Sequence, residues 1–171
     1  ARVRVVTFGL TPQADVTARD LSLERDGSRF TAVAGGEALG EVSVSLPGLH
    51  NVKNALAAIA VSRELEVPFE ACVATLSDFA GVARRFERKG ERDGVLVVDD
   101  YAHHPTEVAA TLAAARQAHP ERRLVVVFQP HLFTRTRDQA DGFGAALLAA
   151  DAVYVLPVYP SREQPIPGVT S

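Results

Sequence analysis

The sequence predicts an α/β fold in two parts, residues 1–84 and residues 85–171. Two observations support this division. Residues 85–171 alternate short, continuously apolar runs with helical segments, a pattern typical of parallel strands covered by helices on both faces. Residues 1–84 instead place alternating strand-like runs before two helical segments. We therefore expect strands plus a helix pair in the first part and a mostly parallel sheet in the second.

The first part is predicted to contain four strands, all before residue 47, over the runs RVRVVTF, VTARDLSLER, SRFTAVAG and EVSVSL. Asp26-Gly27 joins the second and third runs, and Asp-Gly between alternating runs favours a hairpin. After the turn at Pro47-Gly48 the periodicity becomes helical. This predicts one helix over HNVKNALAAIAVSRELE and, after Pro68, a second over FEACVATLSDFA.

The second part is predicted to run strand, helix, strand, helix, strand, over VLVVDD, PTEVAATLAAARQAH, RRLVVVFQP, RTRDQADGFGAALLAA and AVYVLPVY. Ligand groups in an open parallel sheet gather beyond the carboxyl ends of the strands. The loop VLPVYPSREQPIPG should reach that edge as well. The side chains expected there are Asp99, Asp100, Tyr101, His103, Gln129, His131 and Arg135.

Composition and charge exclude several classes of protein. The chain is 47% hydrophobic and 23% charged with a net charge of −3, which suits globular units with an apolar core. Arginine is scattered, so there is no basic stripe for nucleic acid. No apolar run approaches the roughly 20 residues that span a bilayer, and no signal peptide opens the chain. We expect a cytoplasmic protein without nucleic-acid or membrane partners, and core packing for the lone Cys72.

The acids Asp99 and Asp100 allow two interpretations. In one, they end a strand and help to cap the following helix. Glu107 in the first turn of that helix then interacts favourably with the free backbone N–H groups. In the other, they are the paired magnesium-binding acids of a receiver domain, because VLVVDD resembles the sequence with which receiver domains begin. A receiver domain also needs an aspartate and a lysine at the ends of later strands. Here those strands end in FQP and LPVYP, and both lysines lie elsewhere, which disfavours the receiver interpretation.

The adjacent histidines His103 and His104 do not predict a metal site. Neighbouring residues point in different directions, and no cysteine or third histidine lies at ligand spacing. One of the two can instead offer a hydrogen bond or a positive charge to an anionic substrate. The other precedes Pro105, where it can simply start the helix.

Two further patterns leave a binding role and a structural role open. Asn51 and Asn54 share a helix face, where their amides match the edge of an adenine base, but asparagines near a helix start are commonly caps. Arg135 lies at a helix start, where the dipole disfavours a cation. That conflict indicates a facing carboxylate or phosphate, which a guanidinium can bind bidentately. A solvated Arg135 is the alternative.

Five blocks together resemble the Mur ligase family in order and spacing: PGLHNVKNALAA, GVARRF, VVDDYAHHPTEV, FQPHLFTRTRD and VYPSREQPIPG. The resemblance covers essentially the whole chain, and the third and fourth blocks are most similar to members that use L-alanine. It implies that residues 1–84 end a central ATP-binding domain and that residues 85–171 are an incomplete, Rossmann-like C-terminal domain. The phosphate loop GxxxxGK[ST] does not occur in the chain. Together with the ends of the sequence, this predicts a fragment that is inactive alone.

The resemblance implies an ATP-dependent carboxylate-amine ligase of peptidoglycan synthesis. The carboxylate of UDP-N-acetylmuramate would take the γ-phosphoryl group of ATP, and the amine of L-alanine would then displace phosphate from the acyl phosphate. Mg²⁺ is implied with ATP, its ligands being expected mainly upstream of this chain. The alternatives are a Mur-type amide ligase with another substrate and a non-catalytic nucleotide-binding domain.

The resemblance also implies roles for individual residues. The nucleotide would be bound by Asn51, Asn54, Arg85 and Asp100. L-alanine would be bound by Tyr101, His103, His131 and Arg135, of which His103 and Arg135 would be catalytic. Many family members carry arginine where this chain has Leu132, which leaves the alanine carboxylate to Arg135 and His103.

Overall fold

The computed structural model describes residues 3–171, and the chain divides between Gly81 and Val82 into two compact units. We call the part before this division unit 1 and the part after it unit 2. The predicted boundary at residues 84/85 lies three residues further along the chain. Within residues 3–171, none of the helices combines the length and apolar content needed to cross a membrane.

Unit 1 is a three-stranded antiparallel sheet in the order β1-β2-β3, followed by two helices. Its elements are β1 (Val16–Glu24), β2 (Gly27–Ala34), β3 (Glu37–Val44), α1 (Leu49–Glu64) and α2 (Phe69–Asp78). Glu24 pairs with Gly27 across the first turn, so the hairpin predicted from Asp26-Gly27 is confirmed. Gly27 is required there, because a Cβ atom would lie 2.2 Å from the carbonyl oxygen of Val44.

The strand predicted over RVRVVTF is not formed in the described residues. Only Phe8 makes a bridge, to Val16, while Val3 and Val5 are exposed. Residues 1 and 2 of this run lie outside the described residues. Alternation of apolar side chains does not by itself provide the neighbouring strand that backbone hydrogen bonds require. The pattern was therefore insufficient here.

The core of unit 1 lies between the sheet and α1. Phe30 and Val42 project from the sheet, and Leu56 and Ile59 from α1; none is more than 2% exposed. Cys72 on α2 joins the same cluster, as expected for a core cysteine. Burial of these side chains is the main stabilising contribution in this unit.

Unit 2 combines an antiparallel strand pair, a parallel strand pair and two helices. Its elements are β4 (Glu87–Arg92), β5 (Val95–Asp99), α3 (Pro105–Ala118), β6 (Val125–Phe128), α4 (Phe133–Leu147) and β7 (Ala152–Val155). The predicted alternation of strands and helices is confirmed, and β6 and β7 are parallel as expected. The chain thus has the predicted α/β fold class.

Two details of unit 2 differ from the prediction. β5 pairs in antiparallel with β4, whose sequence ERKGER has no apolar alternation and was not predicted as a strand. Pairing with β5, rather than burial, makes it one. The expectation of helices on both faces of the sheet is also wrong for the described residues. Val127 of β6 is 65% exposed, because α3 and α4 pack against the opposite face of this strand, which carries Val126 and Phe128. Tyr154 of β7 is 63% exposed.

The core of unit 2 joins β6 to its helices. Its buried members are Val108, Leu112, Phe128, Phe143 and Ala146, with the rings of Phe128 and Phe143 5.0 Å apart. Gly142 of α4 lies against Pro105, the first residue of α3; a Cβ there would meet the proline Cγ at 3.0 Å. This close approach positions the loop that precedes α3, which carries Asp100, Tyr101 and His103.

Candidate functional site

Four rings form a row at the carboxyl ends of β5 and β6, which we call the ring row: Tyr101, His103, His131 and Tyr159. The Tyr101 and His103 rings meet edge to face with centroids 5.2 Å apart, and the His103 and His131 centroids are 6.4 Å apart. Tyr159 stacks on His131 at 5.6 Å. The structure therefore brings together three of the residues that were predicted to bind the amino acid.

The loop after β5 is held by the carboxylate of Asp100. The backbone N–H groups of Phe86 and Ala102 donate to its two oxygens, each at 2.8 Å. Asp100 is therefore not a cap of α3, which was one of the two interpretations of the acid pair. Its neighbour Asp99 lies 3.4 Å from Nε of Arg84, whose guanidinium covers the Tyr101 ring at 4.7 Å.

The two adjacent histidines have different environments. His104 caps α3: its ring Nδ1 accepts from the N–H of Thr106 at 3.3 Å. Nδ1 of His103 lies 2.8 Å from the carbonyl oxygen of Tyr101. Because a carbonyl only accepts, Nδ1 carries the proton in the neutral ring, and Nε2 is left as an acceptor. Nε2 is therefore the ring nitrogen that can accept a hydrogen bond from a bound group.

Glu107 completes the start of α3. Its Oε2 accepts from the N–H groups of His103 and His104 at 2.9 and 3.1 Å, and its Oε1 lies 3.8 Å from Nη1 of Arg85. Partial burial opposes ionisation, but the two N–H groups and the nearby positive charges outweigh it, so the pKa of Glu107 lies below its ordinary value. The result is a fixed negative charge beneath the His103 backbone.

Arg135 lies in the first turn of α4, partly buried beside the ring row. Its Nη1 is 3.4 Å from Nδ1 of His131. No carboxylate lies within ion-pair distance of Arg135 among residues 3–171. Arg137, two residues on, is exposed and lies 2.7 Å from Oδ1 of Asp138. Arg135 is therefore a partly buried cation that is available to an anion at this edge.

The two asparagines of unit 1 lie on α1. Nδ2 of Asn51 donates to the carbonyl oxygen of Pro47 at 2.8 Å, and Nδ2 of Asn54 lies 3.3 Å from Oδ1 of Asn51. Asn51 is not the N-cap, since Gly48 occupies that position without a side-chain cap. The carbonyl oxygen of the exposed Asn54 side chain has no partner among the described residues. It can accept a hydrogen bond from an amino group.

Potential metal ligands are dispersed. No group of three or more His, Cys, Asp or Glu side chains in residues 3–171 is arranged to hold a metal ion.

Comparison with protein families divides the chain in the same order as the structure. The description "Mur ligase middle domain" matches residues 1–62, and "Mur ligase, glutamate ligase domain" matches residues 84–170. The chain belongs to the Mur ligase family. The resemblance carried by the five sequence blocks is thereby confirmed, together with the fold class.

Individual Mur ligases match almost all of this chain. The UDP-N-acetylmuramate--L-alanine ligase of Salinibacter ruber is 52% identical over 167 residues, which are 98% of this chain and 35% of that protein. The enzyme of the same name from Desulfatibacillum aliphaticivorans is 51% identical over 98% of this chain and 37% of its own length. The solved UDP-N-acetylmuramate-alanine ligase of Thermotoga maritima superposes with a TM-score of 0.78 at 34% identity, over 90% of this chain and 34% of its own.

This chain thus spans about a third of the length of these Mur ligases. Two residues at this edge were not singled out from the sequence: Tyr159 and Glu163. The loop that carries them was expected at this edge, but no local pattern identified either residue. Tyr159 reaches His131 through an isolated β-bridge beyond the ends of β6 and β7, and Glu163 contacts Thr134, 29 residues earlier.

Proposed function

We propose that this chain is part of an ATP-dependent ligase that joins L-alanine to UDP-N-acetylmuramate in peptidoglycan synthesis. Arg135 carries the proposal: it is a partly buried guanidinium without a carboxylate partner in the described residues, beside His131 and the ring row. A guanidinium in this setting binds a carboxylate bidentately. The names of the related ligases support L-alanine as the molecule whose carboxylate Arg135 binds.

In the proposed reaction, Arg135 binds the carboxylate of L-alanine, while Tyr101 and His131 form the wall of its site. The α-amino group must lose a proton to attack the acyl phosphate. His103 can accept that proton at Nε2, because its Nδ1 proton is held by the carbonyl of Tyr101. His103 and Arg135 are therefore the proposed catalytic residues.

We propose that residues 1–84 end a central ATP-binding domain and that residues 85–171 belong to the C-terminal ligase domain. ATP supplies the γ-phosphoryl group that activates the muramate carboxylate. The free carbonyl of Asn54 suits the adenine amino group, with Asn51 holding it in place. The exposed Arg85 offers charge to phosphate, and each Asp100 oxygen keeps a lone pair for a ribose hydroxyl.

The described residues offer no cluster of Mg²⁺ ligands. The ligands of Mg²⁺ are proposed to lie mainly upstream of this chain. The ligase is proposed to act in the cytoplasm on small molecules, without nucleic-acid or membrane partners. This chain alone is proposed to be inactive, since the phosphate loop is not in its sequence.

The test uses the full-length protein that contains this chain. Phosphate release is measured with UDP-N-acetylmuramate and ATP, supplying L-alanine, glycine, L-serine or D-glutamate separately. L-alanine should be preferred. Arg135→Ala should raise the KM for L-alanine by about ten- to a hundredfold, because a charged hydrogen bond contributes roughly 1.5–3 kcal/mol.

Arg137→Ala is the matched control, since Arg137 is on the same helix but paired with Asp138. It should leave the KM for L-alanine unchanged. A preference for D-glutamate would refute the substrate and favour another Mur-type ligase. Release with none of the four amino acids would favour the non-catalytic alternative.

A further inference from the structure

The loop after β7 is attached to the turn that begins α4. We call residues 157–163 the return loop. The N–H of Leu132 donates to the carbonyl oxygen of Tyr159 at 2.9 Å, and the N–H of Tyr159 donates to that of Pro130 at 2.8 Å. These two bonds form the bridge that brings Tyr159 against His131. The return loop therefore touches the candidate amino-acid site through backbone as well as rings.

The beginning of α4 is poorly stabilised by its own sequence. Its N-cap, Leu132, is a branched residue in the left-handed region, with φ of 72°, and provides no side-chain cap. The first turn contains no acid, and it contains the cation Arg135. Free N–H groups and a positive charge at one helix end are mutually unfavourable.

Glu163 of the return loop supplies the negatively charged cap that the start of α4 lacks. Its Oε2 accepts from the backbone N–H of Thr134 at 2.9 Å, and its Oε1 accepts from the Thr134 hydroxyl. These two bonds from Thr134 hold the pKa of Glu163 below its ordinary value, so the group is ionised at neutral pH. A carboxylate thus sits at the positive end of the α4 dipole, delivered from another part of the chain.

We propose that Glu163 is a positioning residue for the amino-acid site, capping α4 from the return loop and thereby fixing Arg135 and His131. This inference rests on the proposed function. Arg135 lies within the turn that Glu163 caps, and Leu132 lies between His131 and that turn. Without the cap, the first turn loses its stabilisation, and the guanidinium loses its fixed position 3.4 Å from His131.

The test compares Glu163→Ala, Glu163→Gln and Glu121→Gln in the full-length ligase. Glu121 is an exposed carboxylate of unit 2 with no hydrogen-bond or ion-pair partner in residues 3–171, so it controls for the loss of charge. Glu163→Ala should raise the KM for L-alanine about tenfold, the order expected when a well-placed cap is lost. The KM for ATP should stay within about twofold.

Glu163→Gln keeps one oxygen for the Thr134 N–H and should show a smaller increase, which keeps the test decisive if the alanine variant does not fold. A purely structural role would lower kcat for lack of folded enzyme and leave the KM for L-alanine unchanged. That result would overturn the inference. An equal KM increase in Glu121→Gln would overturn it as well.

A readout without substrate separates this inference from the proposed function. Amide hydrogen exchange at Thr134 should become about tenfold faster in Glu163→Ala, since the bond that protects this N–H is removed. If the wild-type protein does not use L-alanine, the proposed function fails. If it does, but neither the KM nor the exchange at Thr134 changes, only the inference about Glu163 fails.

Discussion

Ser28 in β2 carries a buried hydroxyl that the fold does not satisfy. The residue is 2% exposed, and its Oγ has no hydrogen-bond partner within residues 3–171. An unpaired buried hydroxyl costs roughly 1–3 kcal/mol of desolvation. Ser28→Ala should therefore leave the free energy of unfolding unchanged or raise it by about 1 kcal/mol, as measured by urea denaturation.

Ser45→Ala in the same unit is the matched comparison. The Ser45 hydroxyl donates to the carbonyl oxygen of Ser77 at 2.7 Å, tying the end of β3 to α2. Its loss should cost about 0.5–1.5 kcal/mol. Equal destabilisation by both substitutions would mean that Ser28 has a partner, contrary to the structure.

Asp151 should make the stability of unit 2 depend on pH. The N–H of Leu124 donates to Oδ2 at 2.6 Å and Arg116 lies 2.8 Å away, and in that order they lower the pKa of Asp151 below its ordinary 3.8. The ionised Asp151 carboxylate therefore stabilises the fold, and this stabilisation is complete above pH 3.8. It is lost as the pH falls through the lower pKa that Asp151 has in the folded protein.

Asp151→Asn should consequently be less stable than wild type at neutral pH, with a difference that shrinks on acidification. Urea unfolding at a series of pH values measures it. Asp141→Asn, at an exposed carboxylate of α4 without a hydrogen-bond or ion-pair partner in residues 3–171, should show no such trend. A difference independent of pH would contradict the assigned ion pair.

At the scale of elements, α3 and α4 approach each other closely at Gly142. A Cβ at Gly142 would lie 3.0 and 3.2 Å from Cγ and Cβ of Pro105, whereas a Cβ at Gly144 would meet nothing within 4 Å. Alanine is a better helix former than glycine by about 1 kcal/mol. Gly144→Ala should therefore raise the melting temperature.

Gly142→Ala should instead lower the melting temperature, because overpacking against Pro105 costs about 1–3 kcal/mol and exceeds the gain in helix propensity. Calorimetry measures the melting temperature of both variants, which carry the same Gly→Ala change at two positions of one helix. If Gly142→Ala were the more stable variant, the close approach of α3 to α4 would not be needed for the packing of unit 2.

At the scale of the whole molecule, the two units differ in how much core they contain. Among the described residues, twelve buried side chains form the core of unit 1 and five that of unit 2. Stabilisation scales with the apolar area that is buried. The amides of α1 and β2 should therefore exchange more slowly than those of α3 and β6 in hydrogen-exchange mass spectrometry. The reverse order would contradict this ranking.

The sequence by itself determined most helices and strands, the hairpin at Asp26-Gly27, and the placement of Tyr101, His103 and His131 at one edge. These features depend on local periodicity and on where a strand ends, which short stretches encode. The nucleotide and alanine roles of the candidate residues are still predictions.

Only the tertiary structure decided the pairing of β5 with β4, the absence of a strand over residues 3–7, the stacking of Tyr159 on His131, and the cap that Glu163 gives α4. Each of these joins or separates segments through backbone hydrogen bonds or side-chain contacts that no local pattern specifies. Which strand finds a neighbour, and which carboxylate reaches a helix end, depends on satisfying polar groups throughout the fold. That requirement is met only when the chain is packed.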